Sequence, residues 1–362
     1  MTHCQRRDRL AACLVDRGLD ALLVSDLVNV RYLTGFTGSN AALLVFSDDT
    51  PPVLATDSRY RAQAARQAPD LHTAIERACG RHLLRRAVAT GARRIGFESH
   101  VVTVDGFDAL LEDLDGRQSE LVRAAGMVEA LREVKDSGEV ALLRLACEAA
   151  DAALASLVEG GGLRPGRTEK AVARELETLM LDHGADAPSF ETIVAAGKNS
   201  AIPHHRPTDA ELDHRDFVKI DFGALVGGYH CDMTRTFVLG AAADWQREIY
   251  ELVAAAQQAG VDALRQGAEL SAVDAAARRV IADAGFGDHF GHGLGHGVGL
   301  QIHEAPGIGS AAAGTLRAGS VVTVEPGIYL AERGGVRIED TLFVGARGPE
   351  LLTRFPRDLA IL

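Results

Sequence analysis

No apolar run in the chain reaches the roughly 18 residues that a membrane-spanning helix needs. The opening segment, MTHCQRRDRLAACLVDRG, also has no apolar stretch leading to a cleavage site, so a cytoplasmic protein without membrane contact is expected. Cysteine is sparse. The five cysteines, at positions 4, 13, 79, 147 and 231, are odd in number and show no CxxC spacing, which argues against a disulfide framework and a zinc knuckle. Basic residues are outnumbered, 38 against 50 acidic, and the net charge of -12 repels nucleic acid and anionic lipid. Arg85–Arg86 and Arg93–Arg94 read as solvated faces, and no nucleic-acid partner is expected. What remains is a composition of 47% hydrophobic and 24% charged residues, that of a soluble globular protein. A length of 362 residues suggests two domains.

The first part of the chain, residues 1–126, reads as a small α/β domain. A helix ends near Gly18, and short apolar runs follow at Ala21–Val24, Ala41–Phe46, Val53–Ala55 and Arg94–Phe97. The stretch YLTGFTGSN, residues 32–40, reads as a tight connection. The second domain is placed at 127–362. Its first long helix opens on a capping box from Asp136 to Glu139, carries apolar residues at 142, 145, 146, 149, 153 and 157, and ends at Gly160–Gly162. A helix at 168–183 and a strand pair at 217–238 follow. Helices at 244–265 and 271–284 and a strand pair at 320–344 then repeat the order, which suggests an internal duplication.

Chemistry concentrates in the two strand pairs. In FVKIDFGALVGGYHCDMTRTFVL the Gly227–Gly228 dipeptide favours a tight hairpin, and either plausible register puts Asp221 and Asp232 on one face. Two carboxylates about 5 Å apart repel by roughly 3 kcal/mol at an effective dielectric of 20, so a cation or a proton belongs between them. Glu325 and Glu339 repeat the pattern in the second pair, 104 positions beyond Asp221 in the case of Glu325. Pro326 biases Glu325 to an extended backbone. Between the pairs, GHGLGHGVGLQIHEAP is too rich in glycine for a helix and supplies His292, His296 and His303. Four carboxylates with an imidazole form a hard site suited to Mn, Co, Fe or Zn, and two such ions could share bridging acids and a hydroxide. Cys231 should face away into the core.

Together NSAIPHHRPT, KIDFGA, CDMTRTF, GHGLGHGVGLQIHEAP, VEPGIY and GVRIEDT resemble the creatinase and methionine aminopeptidase superfamily, most closely its proline peptidases, aminopeptidase P and prolidase. The resemblance implies an α+β fold, a pita-bread catalytic domain with internal pseudo-duplication preceded by a smaller α/β creatinase-like domain. It implies that Asp221, Asp232, His296, Glu325 and Glu339 are metal ligands, with Asp232 and Glu339 bridging. It selects His296 over His292, a choice that spacing leaves open. His204 and His303 would hydrogen-bond the substrate and Glu325 would relay a proton, while His292 would line the proline pocket, Arg337 would lie on the substrate side and Tyr329 would stand near the metals. Arg337 also reads as a plain counter-charge to Glu339, and Tyr329 as a packing residue. His205 reads as a surface-loop residue.

The activity implied is metal-dependent hydrolysis at Xaa-Pro, with two ions, Mn(2+) first and Co(2+) or Zn(2+) as alternatives, and peptides with proline at the second position as substrates. Xaa-Pro aminopeptidase is the first reading, through the resemblance of YLTGFTGSNAALLV and ATDSRYRAQA to aminopeptidase P chains. Xaa-Pro dipeptidase is the alternative. It needs a cation for the substrate carboxylate, and the sequence does not place one. A metal-free peptide-binding module is a remote third reading, disfavoured by the intact ligand set. A homodimer is implied by the family, with residues 32–40, Phe36 among them, offered to a partner's site.

Overall fold

All four apolar runs of the first part fold as strands in the computed structural model, which describes residues 1–362. The chain forms two units, Met1–Arg132 and Glu133–Leu362. The strands of the first are β1 (Ala21–Val24), β2 (Ala41–Phe46), β3 (Val53–Thr56), β4 (His72–Ile75), β5 (Arg94–Phe97) and β6 (Glu120–Arg123). They lie in the order β4-β3-β2-β1-β5-β6, with β1 antiparallel to β2 and parallel to β5. The four inner strands bury almost every residue and so read as apolar runs. The edge strands β4 and β6 bury none fully, which is why they carry no such signal.

The connection expected at 32–40 differs from expectation in its first part. Leu27–Thr34 is a helix capped by the Asp26 side chain and stopped by Gly35 at φ 77°. Phe36 is buried and meets Tyr60 edge to face, with ring centroids 5.8 Å apart. A ring packed in its own core is not a group offered to another subunit's site, so the expectation for Phe36 is corrected.

In the second unit Asp136 accepts hydrogen bonds from the Gly138 and Glu139 amides, and Glu139 reaches back to the Asp136 amide. This box opens the helix Ser137–Glu159. The buried stripe runs through Val140, Leu143, Cys147, Ala150, Leu154 and Leu157. Leu145, expected on that face, is 51% exposed. Helix Glu169–Asp182 packs on this one, and Asp244–Ala263 packs on Leu270–Asp283.

The remaining strands are β7 (Ala187–Pro188), β8 (Ile193–Ala196), β9 (Phe217–Phe222), β10 (Ala224–Val226), β11 (Tyr229–His230), β12 (Met233–Val238), β13 (Gly295–Gly297), β14 (Glu304–Ile308), β15 (Val321–Val324), β16 (Gly327–Leu330), β17 (Gly334–Arg337), β18 (Asp340–Gly345) and β19 (Gly348–Leu351). Gly227 and Gly228, at φ 58° and 85°, make the two-residue turn expected of them. The register this turn sets, Val226 opposite Tyr229, continues unbroken to Asp221 opposite Thr234. The second hairpin likewise keeps one register from Leu330–Gly334 to Val321–Phe343. Behind it Val253, Ala256, Val273 and Ala277 of the helix pair pack with Val322, Val324, Val336 and Leu342 in one buried cluster.

Replacing Asp136 by alanine removes the cap of the longest helix and is expected to lower stability by about 1 kcal/mol. Urea unfolding followed by circular dichroism checks this, with an unchanged midpoint as the contrary result.

Candidate metal centre

Each hairpin is interrupted beside its acids. Only Asp221 lies inside a strand, whereas Asp232 falls between β11 and β12, Glu325 between β15 and β16, and Glu339 between β17 and β18. Of the four acids expected in the two strand pairs, three therefore stand in gaps of the ladder. The uninterrupted register puts Glu325 opposite Glu339 across the gap. At the matching gap in the first hairpin, a Cβ on Gly223 would lie 1.8 Å from the Cys231 carbonyl oxygen, so the close approach beside Asp232 requires glycine. Gly295 plays the same part against the Thr323 carbonyl, 2.0 Å from where its Cβ would be. This lets the His296 amide take a 3.0 Å hydrogen bond to Thr323 Oγ1.

Asp232, His296 and Glu339 offer side-chain atoms that all lie within 4.8 Å of one another. His296 Nε2 is 3.5 Å from Asp232 Oδ2 and 3.4 Å from Glu325 Oε1. Its Nδ1 lies 3.1 Å from the Gly297 carbonyl, which can only accept, so Nδ1 carries the proton and Nε2 is left with a lone pair. Burial holds this imidazole down to about 4, keeping it neutral at pH 7. An acceptor therefore faces two carboxylates. Burial, followed by the neighbouring acids, pushes Asp232 and Glu339 well above the usual carboxylate range. Burial likewise pushes Glu325 up to about 8, Arg337 pulling against it. Asp221 Oδ1 is buried without a hydrogen-bond partner. Converging acceptors that outnumber the donors around them, some of them carboxyls that burial strips of their charge, are the set of groups that divalent cations complete, so the residues fit a metal centre.

Residues 141–346 match Metallopeptidase family M24, and residues 6–134 match the Creatinase/Prolidase N-terminal domain. The chain belongs to metallopeptidase family M24. A Xaa-Pro dipeptidase of Pyrococcus horikoshii is 34% identical over 94% of this chain and 94% of its own. The solved structure of a Xaa-Pro dipeptidase from Bacillus anthracis is 36% identical, covers 100% of both chains and has a TM-score of 0.94. An X-Pro aminopeptidase from Thermotoga maritima is 32% identical over 95% of this chain and 98% of its own, with a TM-score of 0.87. The M24 protein thus has the α+β architecture expected of it, a duplicated pita-bread domain that follows a creatinase-like α/β domain in sequence.

One guanidinium serves the metallopeptidase's acids. Arg337 pairs with Asp221, not with Glu339 as its strand position suggests. Its other nitrogens donate to Thr234 Oγ1 at 3.0 Å and Tyr329 Oη at 2.7 Å. The Thr234 hydroxyl in turn donates a hydrogen bond to Glu339 Oε2 at 2.6 Å. Tyr329, having accepted from Arg337, donates to His292 Nε2 at 2.9 Å, and His292 Nδ1 donates to the Gly293 carbonyl at 2.8 Å. Burial and then Arg337 hold His292 down to about 4, in agreement with that neutral tautomer. Tyr329 is thus part of a polar relay and not simply packing. His204 and His303 line the same cavity as the acids, and the His303 ring lies edge-on to His296 at 4.4 Å.

His205 is not a surface residue. It is buried, with Nε2 2.8 Å from Glu169 Oε2. Glu169, fully buried, also accepts from the Ala196 amide, Asn199 Nδ2, and the amide and hydroxyl of Thr208, so one carboxylate ties down both ends of the segment carrying His204. Lys219 Nζ supports the same segment through the Ser200 and Ile202 carbonyls, at 3.0 and 2.7 Å. Neither Glu169 nor Lys219 is singled out by the sequence motifs. A lysine two residues before Asp221 in the buried strand FVKIDF was the available signal. Burial opposes ionisation of Glu169, but the hydrogen bonds outweigh it and hold its carboxyl below 4.5.

Glu169→Gln is expected to cost about 2 to 3 kcal/mol at neutral pH, the loss of charge-assisted hydrogen bonds. A carboxyl depressed in the folded state contributes above its unfolded value and loses that contribution as pH falls through the folded one. The difference between wild type and variant should therefore shrink below about pH 4.5. Urea midpoints from pH 3 to pH 8 test it, and a gap independent of pH would contradict it.

Proposed function

We propose that this metallopeptidase is a Xaa-Pro dipeptidase, hydrolysing the bond between a first residue and a carboxy-terminal proline. The observation that carries the reading is the neutral His296 Nε2 set among carboxylates at the meeting of two spaces, of about 300 and 320 Å³. The spaces share His204, His296 and Glu325, and one extends past His303 while the other reaches His292 and Arg337. Such a pair suits a short substrate with its scissile bond at the shared wall. The Xaa-Pro dipeptidases of P. horikoshii and B. anthracis, matched along nearly their whole length, favour this over the aminopeptidase reading drawn from the amino-terminal motifs. The T. maritima X-Pro aminopeptidase keeps that reading as the second.

Asp221, Asp232, His296, Glu325 and Glu339 would hold two divalent ions, for which we propose Mn2+, with Co2+ or Zn2+ suited to the same oxygen-rich set. When bound, the ions supply Lewis-acid polarisation of the scissile carbonyl and acidify water near neutral pH. His204 and His303 donate hydrogen bonds to the substrate carbonyl oxygen as it gains charge. Glu325 takes a proton from the attacking water and delivers it to the proline nitrogen as the C–N bond breaks, which leaves an acid and a secondary amine. His292 and Arg337 line the space on the other side of the bond, and Tyr329 hydrogen-bonds to both. The Xaa-Pro amide carries no N–H, so the site needs no acceptor for one.

Chelator-treated protein reloaded with Mn2+, Co2+ or Zn2+ and timed on Ala-Pro, Ala-Pro-Ala and Ala-Ala tests the reading. Metal-dependent cleavage of Ala-Pro ahead of both others is expected, and Asp232→Ala should lose more than the roughly 100-fold that removing an outer partner costs. Faster cleavage of Ala-Pro-Ala moves the assignment to aminopeptidase. Cleavage of nothing with any metal removes the peptidase assignment and leaves a peptide-binding module.

A further inference from the structure

Cleaving dipeptides in preference to longer peptides requires a group that recognises a carboxylate one residue past the scissile bond. A guanidinium does this best, because its fork matches the two oxygens. We infer that Arg206 is that group in this protein and that it holds the free α-carboxylate of the carboxy-terminal residue, an inference that rests on the dipeptidase reading.

The other cations near the acids are already engaged. Arg337 is bound to Asp221, Thr234 and Tyr329, and the Lys219 ammonium is surrounded by backbone carbonyls. Arg206 lines the same cavity as His204, His303 and the four acids. Its side chain is 83% exposed and its guanidinium meets Glu191, itself 62% exposed, at 3.3 Å. Exposed pairs of this kind are held weakly and exchange readily. A substrate carboxylate, able to accept two parallel hydrogen bonds, displaces the single contact to Glu191.

The backbone presents Arg206 to the cavity for local reasons. His204 and Arg206 are exposed, His205 between them is buried, and both outer residues line the cavity. His205 fastens the segment from beneath through Glu169. Pro207 restricts Arg206 to extended backbone, removing freedom that a guanidinium on a loose loop would lose on binding. His204 and Arg206 then address adjacent parts of one substrate: His204 the scissile carbonyl, Arg206 the carboxylate beyond it. An amide or a further peptide unit in place of that carboxylate has no charge for Arg206 to recognise.

The deciding readout is the ratio of kcat/KM for Ala-Pro to that for Ala-Pro amide, on Mn2+-loaded wild type, Arg206→Ala, Arg206→Lys and Glu191→Gln. Melting temperature and bound Mn2+ verify that each variant keeps its fold and its metal site. The wild type should favour the acid. Arg206→Ala should lower the ratio about 10- to 100-fold, through KM more than kcat, as expected for one charge-assisted pair. Arg206→Lys should restore part of it, and Glu191→Gln should raise it. A ratio unchanged in Arg206→Ala while the wild type still favours the acid overturns the inference and leaves the dipeptidase standing. A wild type with no preference for the acid, or faster on Ala-Pro-Ala, overturns the dipeptidase reading and this inference with it.

Discussion

Four carboxylates and a neutral imidazole are gathered in one partly enclosed pocket, with the buried guanidinium of Arg337 paired to Asp221 among them, and this crowding of like groups is the constraint on which the catalytic unit is built. Buried carboxylates at such spacing resist ionisation unless positive charge compensates them. Arg337 neutralises Asp221 and reaches Glu339 only through Thr234. The unpartnered Asp221 Oδ1 and the lone pair of His296 Nε2 mark where the compensation stops. Divalent cations would complete it, in keeping with a chain that belongs to a metallopeptidase family.

The fold meets the constraint with a duplicated hairpin. In each copy the ladder keeps its register but is interrupted, so acidic residues leave the pleat while the flanking strands still fix their positions. The copies are fastened to each other next to the acids. The Glu339 amide donates to the Thr234 carbonyl at 3.1 Å, and the following residues of the two copies, Arg235 and Asp340, form a buried pair at 2.7 Å. Apolar side chains of the helix pair Asp244–Ala263 and Leu270–Asp283 close the core behind the second hairpin. A rigid support of this kind holds mutually repelling groups where a loop would let them relax apart.

Features set by short-range chemistry were legible in the sequence. The Gly227–Gly228 turn determined the register, hence the common face of Asp221 and Asp232, and the Asp136 capping box marked the start of its helix. Features that depend on distant partners were not. Nothing near His205 announces Glu169, 36 positions away, so a buried anchor looks like a loop histidine. Arg337 stands two residues before Glu339 yet pairs with Asp221 on another strand. Alternation alone cannot reveal an interrupted ladder, and edge strands such as His72–Ile75 bury too little to leave an apolar pattern. The glycine-rich stretch offered three histidines with similar local surroundings. In the folded protein His296 faces the acids, while His292 turns to Tyr329.

The central claim is that this pocket is completed by two divalent cations. Titration calorimetry of chelator-treated protein with Mn2+ at pH 7, in two buffers of different ionisation enthalpy, tests it most directly. The account predicts two ions bound per chain, with net release of protons as the carboxyl groups ionise. Binding of no ion by the folded protein, or uptake of Mn2+ that Asp232→Ala leaves unchanged, would contradict it.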